Sequence, residues 1–122
     1  MGQVFTAKRL SGAGDSSVIT ISGTGSGSAN TIHASTSSTD ANVFDEIELF
    51  AFNTSDADQT LFISTADTSL TLEIVIPAKG TASTDGIRLV LPKFRTQDAV
   101  TISAYASTTN VIGVFGNVTE IR

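Results

Sequence analysis

The chain has no cysteine, no tryptophan, a single histidine and only seven basic residues among 122. The lack of cysteine excludes disulfides, thiolate nucleophiles and every zinc or iron–sulfur site that needs a cysteine ligand. Twelve acidic residues outweigh the seven basic ones, so the formal net charge is −5. Binding to nucleic acid or to an anionic membrane requires a surplus of Lys and Arg, so we expect neither as a partner.

Long apolar runs and helical stripes are also missing. The longest apolar stretch, at 111–116, is far short of the ~20 residues that a membrane-spanning helix needs. No segment carries a helical stripe longer than two turns, and 35–42 has room for one turn at most. We therefore expect no substantial helix anywhere in the chain.

Instead, apolar and polar residues alternate along the chain. Leu72, Ile74 and Ile76 alternate with Thr71, Glu73 and Val75, and Ile87, Leu89 and Leu91 repeat the pattern. Period two is typical of half-buried strands. Strands are predicted near 3–9, 18–22, 29–34, 43–53, 60–64, 70–77, 86–92, 99–106 and 110–121.

The length and the strand spacing together indicate one all-β domain. A chain of 122 residues is enough for a single core. Eight or nine short strands separated by Ser- and Gly-rich turns predict an antiparallel β-sandwich or a small barrel. We expect residues 11–122 to form this domain, and residues 1–10 to be an N-terminal strand or an extended arm that adds a strand to a neighbour.

Segment 43–53 is unusual because both of its faces are apolar. Ile47, Leu49 and Ala51 alternate with Phe44, Phe50 and Phe52. Such a strand is either central and covered by its own loops, or covered by another chain. Charge is segregated as well, because 40–73 has no Lys or Arg and 79–95 is mainly basic. The candidate interface residues are Val4, Phe5, Phe44, Phe50, Phe52, Arg88, Lys93 and Arg95.

Catalytic and metal-binding motifs are not found. His33 is the only histidine, and the sequence has no Gly-x-Ser-x-Gly motif whose serine it could activate as a base. We predict that His33 lies at the surface or rim of a strand. Asp56 and Asp58 could offer oxygens to a cation, but an acidic turn explains them as well. We predict no catalytic, cofactor-binding or metal-binding residue, and hence a non-enzymatic protein.

The order of motifs over 43–122 resembles small β-sandwich proteins that decorate the heads of tailed bacteriophages. The resemblance lies in the Pro77-Ala78-Lys79-Gly80 turn, the Leu91-Pro92 pair, the Tyr105-Ala106 strand and the closing Val114-Phe115-Gly116 hairpin. It implies a jelly-roll-like sandwich and a homotrimer that binds the major capsid protein on the outside of the shell. It also implies synthesis in the host cytoplasm and a final place on the virion surface. Alternatives are a phage tail or head-fibre base module and a carbohydrate-binding β-sandwich.

Overall fold

The computed structural model describes residues 3–14, 16–35, 37–40, 42–65, 71–79, 87–96 and 100–122. Nine strands account for most of this part of the chain, and single 3-10 turns lie at Ser11–Ala13 and Ser26–Ser28. No helix among the described residues is long and apolar enough to cross a membrane. The strands are β1 (Phe5–Lys8), β2 (Ile19–Thr20), β3 (Asn30–Ala34), β4 (Phe44–Asn53), β5 (Gln59–Ser64), β6 (Thr71–Ile76), β7 (Ile87–Thr96), β8 (Thr101–Ala106) and β9 (Ile112–Ile121).

The strands form two antiparallel sheets. In the first sheet, β9 lies between β4 on one side and both β1 and β2 on the other, and β7 follows β4. The order in the second sheet is β3, β8, β5 and β6. Every pairing is antiparallel, so the prediction of an all-β antiparallel sandwich is confirmed.

The connectivity is that of a jelly roll. β2 pairs with β9, β3 with β8, β4 with β7 and β5 with β6, as in one long hairpin. Rolling this hairpin up also brings β4 beside β9 and β5 beside β8, which closes the two sheets over one core.

The inner faces of the two sheets supply the core. On β4 the buried positions alternate strictly with half-buried ones, as the period-two pattern predicted. Ile47, Leu49 and Ala51 face inward there, whereas Phe44, Phe50 and Phe52 lie on the outer face. The second sheet meets them with fully buried aliphatic side chains, including Ile32, Leu61, Ile63, Ile76 and Ile102.

Strand β7 departs from the sequence prediction in two ways. It continues through Pro92 to Thr96, and Ile87 and Leu89 do not share a face with Leu91. Leu89 pairs with Phe50 while Leu91 pairs with Leu49, so one extra residue is inserted and the side-chain alternation reverses. A second irregularity sits at Lys93, whose φ is 43°. Bulges and a proline are typical of strands at the edge of a sheet.

Gly116 lets β9 and β4 approach closely, which gives the first testable prediction. A Cβ at this position would lie 1.9 Å from the backbone oxygen of Glu48. Because backbone cannot rotate away, Gly116→Ala must push the central strands apart, at a cost of about 3 kcal/mol in the free energy of unfolding. Gly27→Ala is the matched control, since nothing lies within 4 Å of its Cβ. Urea denaturation of the two variants checks the difference, and equal midpoints would contradict this account of the ladder.

Candidate functional site

The outer face of the first sheet carries a band of large apolar side chains. Phe50 pairs with Phe115 on one side and Leu89 on the other, and Phe52 pairs with Gly113 and Ile87. Residues directly opposite in a ladder lie on the same face, so these pairs form two adjacent rows across β9, β4 and β7. We call this surface the aromatic face; it consists of Phe50, Phe52, Ile87, Leu89 and Phe115.

Ring contacts fix the aromatic face in place. Phe50 and Phe115 stack with centroids 5.4 Å apart, and Phe52 is tilted against Phe115 at 6.1 Å. The Phe52 ring covers Gly113, where a Cβ would lie 2.4 Å from the ring. Ile87 and Leu89 are about half exposed, at 48% and 49%. The face is therefore ordered by its own packing while it still presents apolar surface to solvent.

Charged side chains border the aromatic face along β4 and β7. Lys93 shares a shallow depression with Glu46 and Glu48, and the guanidinium of Arg95 lies 3.8 Å from the centre of the Phe44 ring. Arg88 is exposed on β7 and donates to the Ile87 carbonyl at 3.2 Å. The predicted interface residues Phe44, Phe50, Phe52, Lys93 and Arg95 are thus on one face, and Arg88 is on its edge strand.

The other two predicted interface residues lie at the opposite end of the sheet. Val4, just before β1, is 60% exposed, and Phe5, the first residue of β1, is 65% exposed. Phe5 pairs with Ile121 of β9, which in turn pairs with Phe44. The N-terminal segment therefore extends the first sheet, and Val4 and Phe5 lie away from the aromatic face, whereas Lys8 and Arg9 line a pocket beside it.

A pocket of about 430 Å³ lies between the segment that joins β1 to β2 and the rings on the outer face of the first sheet. Phe50 and Phe115 line its apolar side. Arg9, Ser16 and Asn117 are among its polar residues, so the pocket gives the aromatic face a polar border on the β9 side.

The second sheet has a different outer face. Its register pairs place Thr60 beside Val75, and Ser64 beside Thr71 and Ser103. Phe62 stacks on Tyr105 there, with ring centroids 4.6 Å apart. Among the described residues, the two outer faces thus differ in character, one being mainly apolar and the other mainly hydroxylated.

A cluster of charged and polar side chains closes one end of the core. Asp45 of β4 pairs directly with Glu120 of β9, and both side chains are buried. Lys8 of β1 lies 2.8 Å from Glu120 and 3.4 Å from Asp45. Arg122 contacts the other oxygen of Glu120 at 2.5 Å. Two carboxylates are matched by two cations, which is the condition under which such charges can be buried.

His33 completes this cluster, which we call the polar end. It is 2% exposed, so the prediction of a surface or rim residue is wrong. The backbone N–H of Ser11 donates to Nδ1 at 3.0 Å, so Nδ1 must lack a hydrogen, and Nε2–H donates to Asp45 at 2.7 Å. This hydrogen bond joins the two sheets.

The arrangement around His33 does not suit nucleophilic catalysis. The Oγ of Ser11 accepts from the backbone of Ala34 at 2.8 Å and is not bonded to the imidazole. Both ring nitrogens are already used, so His33 has no free position from which to accept a proton from a hydroxyl. In this site the role of the histidine is structural, because its two hydrogen bonds join β3 to Ser11 and to Asp45.

No cation site is apparent in the described part of the chain. Asp58 is occupied, because its Oδ1 accepts from the backbone of Ala78 at 2.8 Å, and Asp56 lies in the same exposed turn. No three His, Asp or Glu side chains among the described residues are placed to share a metal ion. The Oγ of Ser35 and the Oγ1 of Thr96 are buried near the polar end without a hydrogen-bond partner.

Sequence reasoning missed part of the aromatic face. Phe115 belongs to a continuous apolar run, which does not reveal which side chains point outward. Ile87 and Leu89 were expected to share a face with Leu91, and the bulge places them on the outer face instead. The pairing of Phe50 with these residues depends on register, which alternation in one strand does not encode.

Comparison with known proteins finds no family model, no curated protein and no solved structure that matches this chain.

The ion pairs of Lys8 give the second prediction. Lys8→Met leaves the carboxylates of Asp45 and Glu120 opposite each other with one cation fewer, so we expect a loss of about 2 kcal/mol in the free energy of unfolding. Arg9→Met is the control, because Arg9 is exposed and the structure shows no ion pair for it among the described residues. We expect a change within about 0.5 kcal/mol for that variant. Equal losses in thermal or urea denaturation would show that the polar end does not depend on Lys8.

Proposed function

We propose that the chain is a non-enzymatic structural protein of a bacteriophage particle, which binds the outer surface of the capsid and stabilises the shell. The aromatic face is the surface that binds the major capsid protein. The sequence resemblance to head decoration proteins supports the assignment, and the jelly-roll sandwich agrees with the fold that this resemblance implies.

One observation carries the proposal more than any other: the two apolar rows across β9, β4 and β7. Leu89 and Ile87 leave about half of their surface in water although they lie beside three aromatic rings. A contiguous apolar patch bordered by charges is typical of a protein–protein interface. The basic side chains of Lys93 and Arg95 and the acidic ones of Glu46 and Glu48 supply a charged rim that fixes orientation.

The physical role follows from linkage. A protein that binds the closed shell, and not its separated subunits, stabilises the closed state by mass action. The stabilisation that each bound copy contributes adds up over one particle, so a modest affinity at each site is sufficient. The strand ladders and stacked rings hold the aromatic face rigid before binding, which lowers the entropy lost on association.

The third prediction concerns oligomeric state. We expect the purified protein to be a closed homotrimer, because parts of symmetric shells are commonly closed cyclic oligomers. Light scattering over a dilution series should then give about three times the 12.6 kDa of one chain. A monomer at every concentration would contradict a preformed trimer.

The fourth prediction tests the aromatic face itself. Leu89→Glu places a charge among the rings, and we expect cosedimentation with capsid shells of the virus that encodes the chain to fall at least tenfold, which corresponds to about 1.4 kcal/mol. The substitution is on the surface, so the unfolding midpoint should change little.

Val75→Glu is the matched control for this experiment. Val75 is 58% exposed, but it lies on the outer face of the second sheet. We expect it to bind shells like the unmodified protein. Equal loss of binding in both variants, or none in either, would contradict attachment through the aromatic face.

A further inference from the structure

Strand β1 is the least buried strand of the first sheet. Three of its four residues are exposed, and only Lys8 is partly buried. Val4 and Phe5 are the two most exposed large apolar residues in the described part of the chain, at 60% and 65%. The segment therefore gains little from burial in its present position, and it presents apolar side chains that a neighbouring molecule could cover.

Two kinds of contact hold β1 in place. One is the backbone ladder with β9, which starts at the mutual hydrogen bonds of Val4 with Arg122, at 2.8 and 3.0 Å, and runs to Lys8. The other is Lys8, whose ammonium reaches Asp45 and Glu120. Both depend only on the sequence of β1, so an identical β1 from another copy could make them equally well.

The connection from β1 to the rest of the domain is very short. Leu10 is buried in the core, and the N–H and Oγ of Ser11 are bonded to His33 and Ala34 of β3. Lys8 is held by Asp45 and Glu120, so Arg9 is the only residue between the anchored Lys8 and the anchored Leu10. A short hinge between anchored elements favours exchange of the terminal element between copies.

We propose that β1 is exchanged between copies of this chain, so that each β9 pairs with the β1 of a neighbouring molecule. The occupant of the β9 edge is thus a second copy, and the acidic pair of Asp45 and Glu120 selects it because Lys8 supplies the complementary charge at the right register. Exchange in one direction around a ring joins the copies head to tail and closes a cyclic oligomer. The proposal concerns self-association and is independent of shell binding.

The same contacts make the exchange slow once a molecule has folded. Releasing β1 leaves Asp45 and Glu120 facing each other without Lys8 and frees the ladder at 118–121. The released state is therefore rarely populated, and the choice between own and neighbouring β1 is made while the chains fold together.

A cross-linking experiment can read the pairing directly, because the natural chain has no cysteine. Ala7 and Thr119 are register partners, three positions along from the hydrogen-bonded pair Val4–Arg122. They consequently form a non-hydrogen-bonded pair, whose Cα separation of about 4.5 Å suits a disulfide. The variant Ala7→Cys is mixed with a size-tagged Thr119→Cys chain, the mixture is unfolded and refolded together, and it is then oxidised mildly.

A disulfide between these two variants requires that β1 of one chain lie on β9 of the other. We expect the mixed product to exceed either same-variant dimer several-fold after refolding together. We also expect little of it when the two proteins are folded separately and then mixed. A mixed product no more abundant than the same-variant dimers would overturn the proposal.

A double variant provides an independent reading. In Ala7→Cys/Thr119→Cys, exchange links chains to one another, whereas pairing within a chain yields a closed monomer on a non-reducing gel. Linked oligomers would support exchange, and closed monomers alone would refute it. Thermal melting of the reduced variants verifies that each one folds.

Lengthening the hinge supplies the matched control. Inserting Gly-Ser-Gly-Ser after Arg9 lets β1 fold back onto its own β9 more easily. We expect the insertion to move the double-variant product from linked oligomers to closed monomers. Linked oligomers in undiminished yield would show that the copies are joined by something other than exchange at this hinge.

Discussion

The ladder between β4 and β9 is the interaction on which the rest of the molecule depends. Ten consecutive register pairs, from Phe44–Ile121 to Asn53–Ile112, run through the centre of the first sheet. Because side chains alternate, this register places Ile47, Leu49 and Ala51 in the core and the three phenylalanines of β4 outside. A slip by one residue would bury the phenylalanines and expose the aliphatic side chains, so the hydrophobic effect selects a single register. Gly116 is part of the same constraint, since only a residue without a side chain permits this approach to Glu48.

Alternation in the sequence was sufficient to locate all nine strands, because half-buried strands in a sandwich must repeat with period two. It also separated the two faces of β4 correctly. It failed at β7, where the insertion at Val90 reverses the alternation and the strand passes through Pro92 and Lys93. It failed at His33 for a different reason. The partner that makes burial of an imidazole favourable is Asp45, which lies in the other sheet, and no local pattern indicates that the two residues meet.

The polar end shows how buried charge can specify an arrangement of strands. Asp45 and Glu120 would repel each other across the ladder if they were alone. Lys8 of β1, the Nε2–H of His33 of β3 and Arg122, which directly follows β9, satisfy them. An apolar cluster of the same volume could be as stable, but it would accept many neighbours. Charged groups accept few neighbours, so the polar end determines which strand lies beside β9 and in which register the two strands pair. Without that restriction the four-residue β1 would have little to fix its register.

The two proposed contacts use different ends of the first sheet. The aromatic face is built around Gly113, Phe115, Phe50 and Phe52, whereas β1 pairs with residues 118–121 at the other end of β9. Charged side chains of Glu46, Glu48 and Lys93 lie between them. A molecule organised in this way can be joined to its own copies at one end and to a different protein surface at the other, and neither contact needs to displace the other. Because both rest on the rigid β4–β9 ladder, joining the copies also orients their aromatic faces with respect to one another. That is a requirement for multivalent attachment to a symmetric shell.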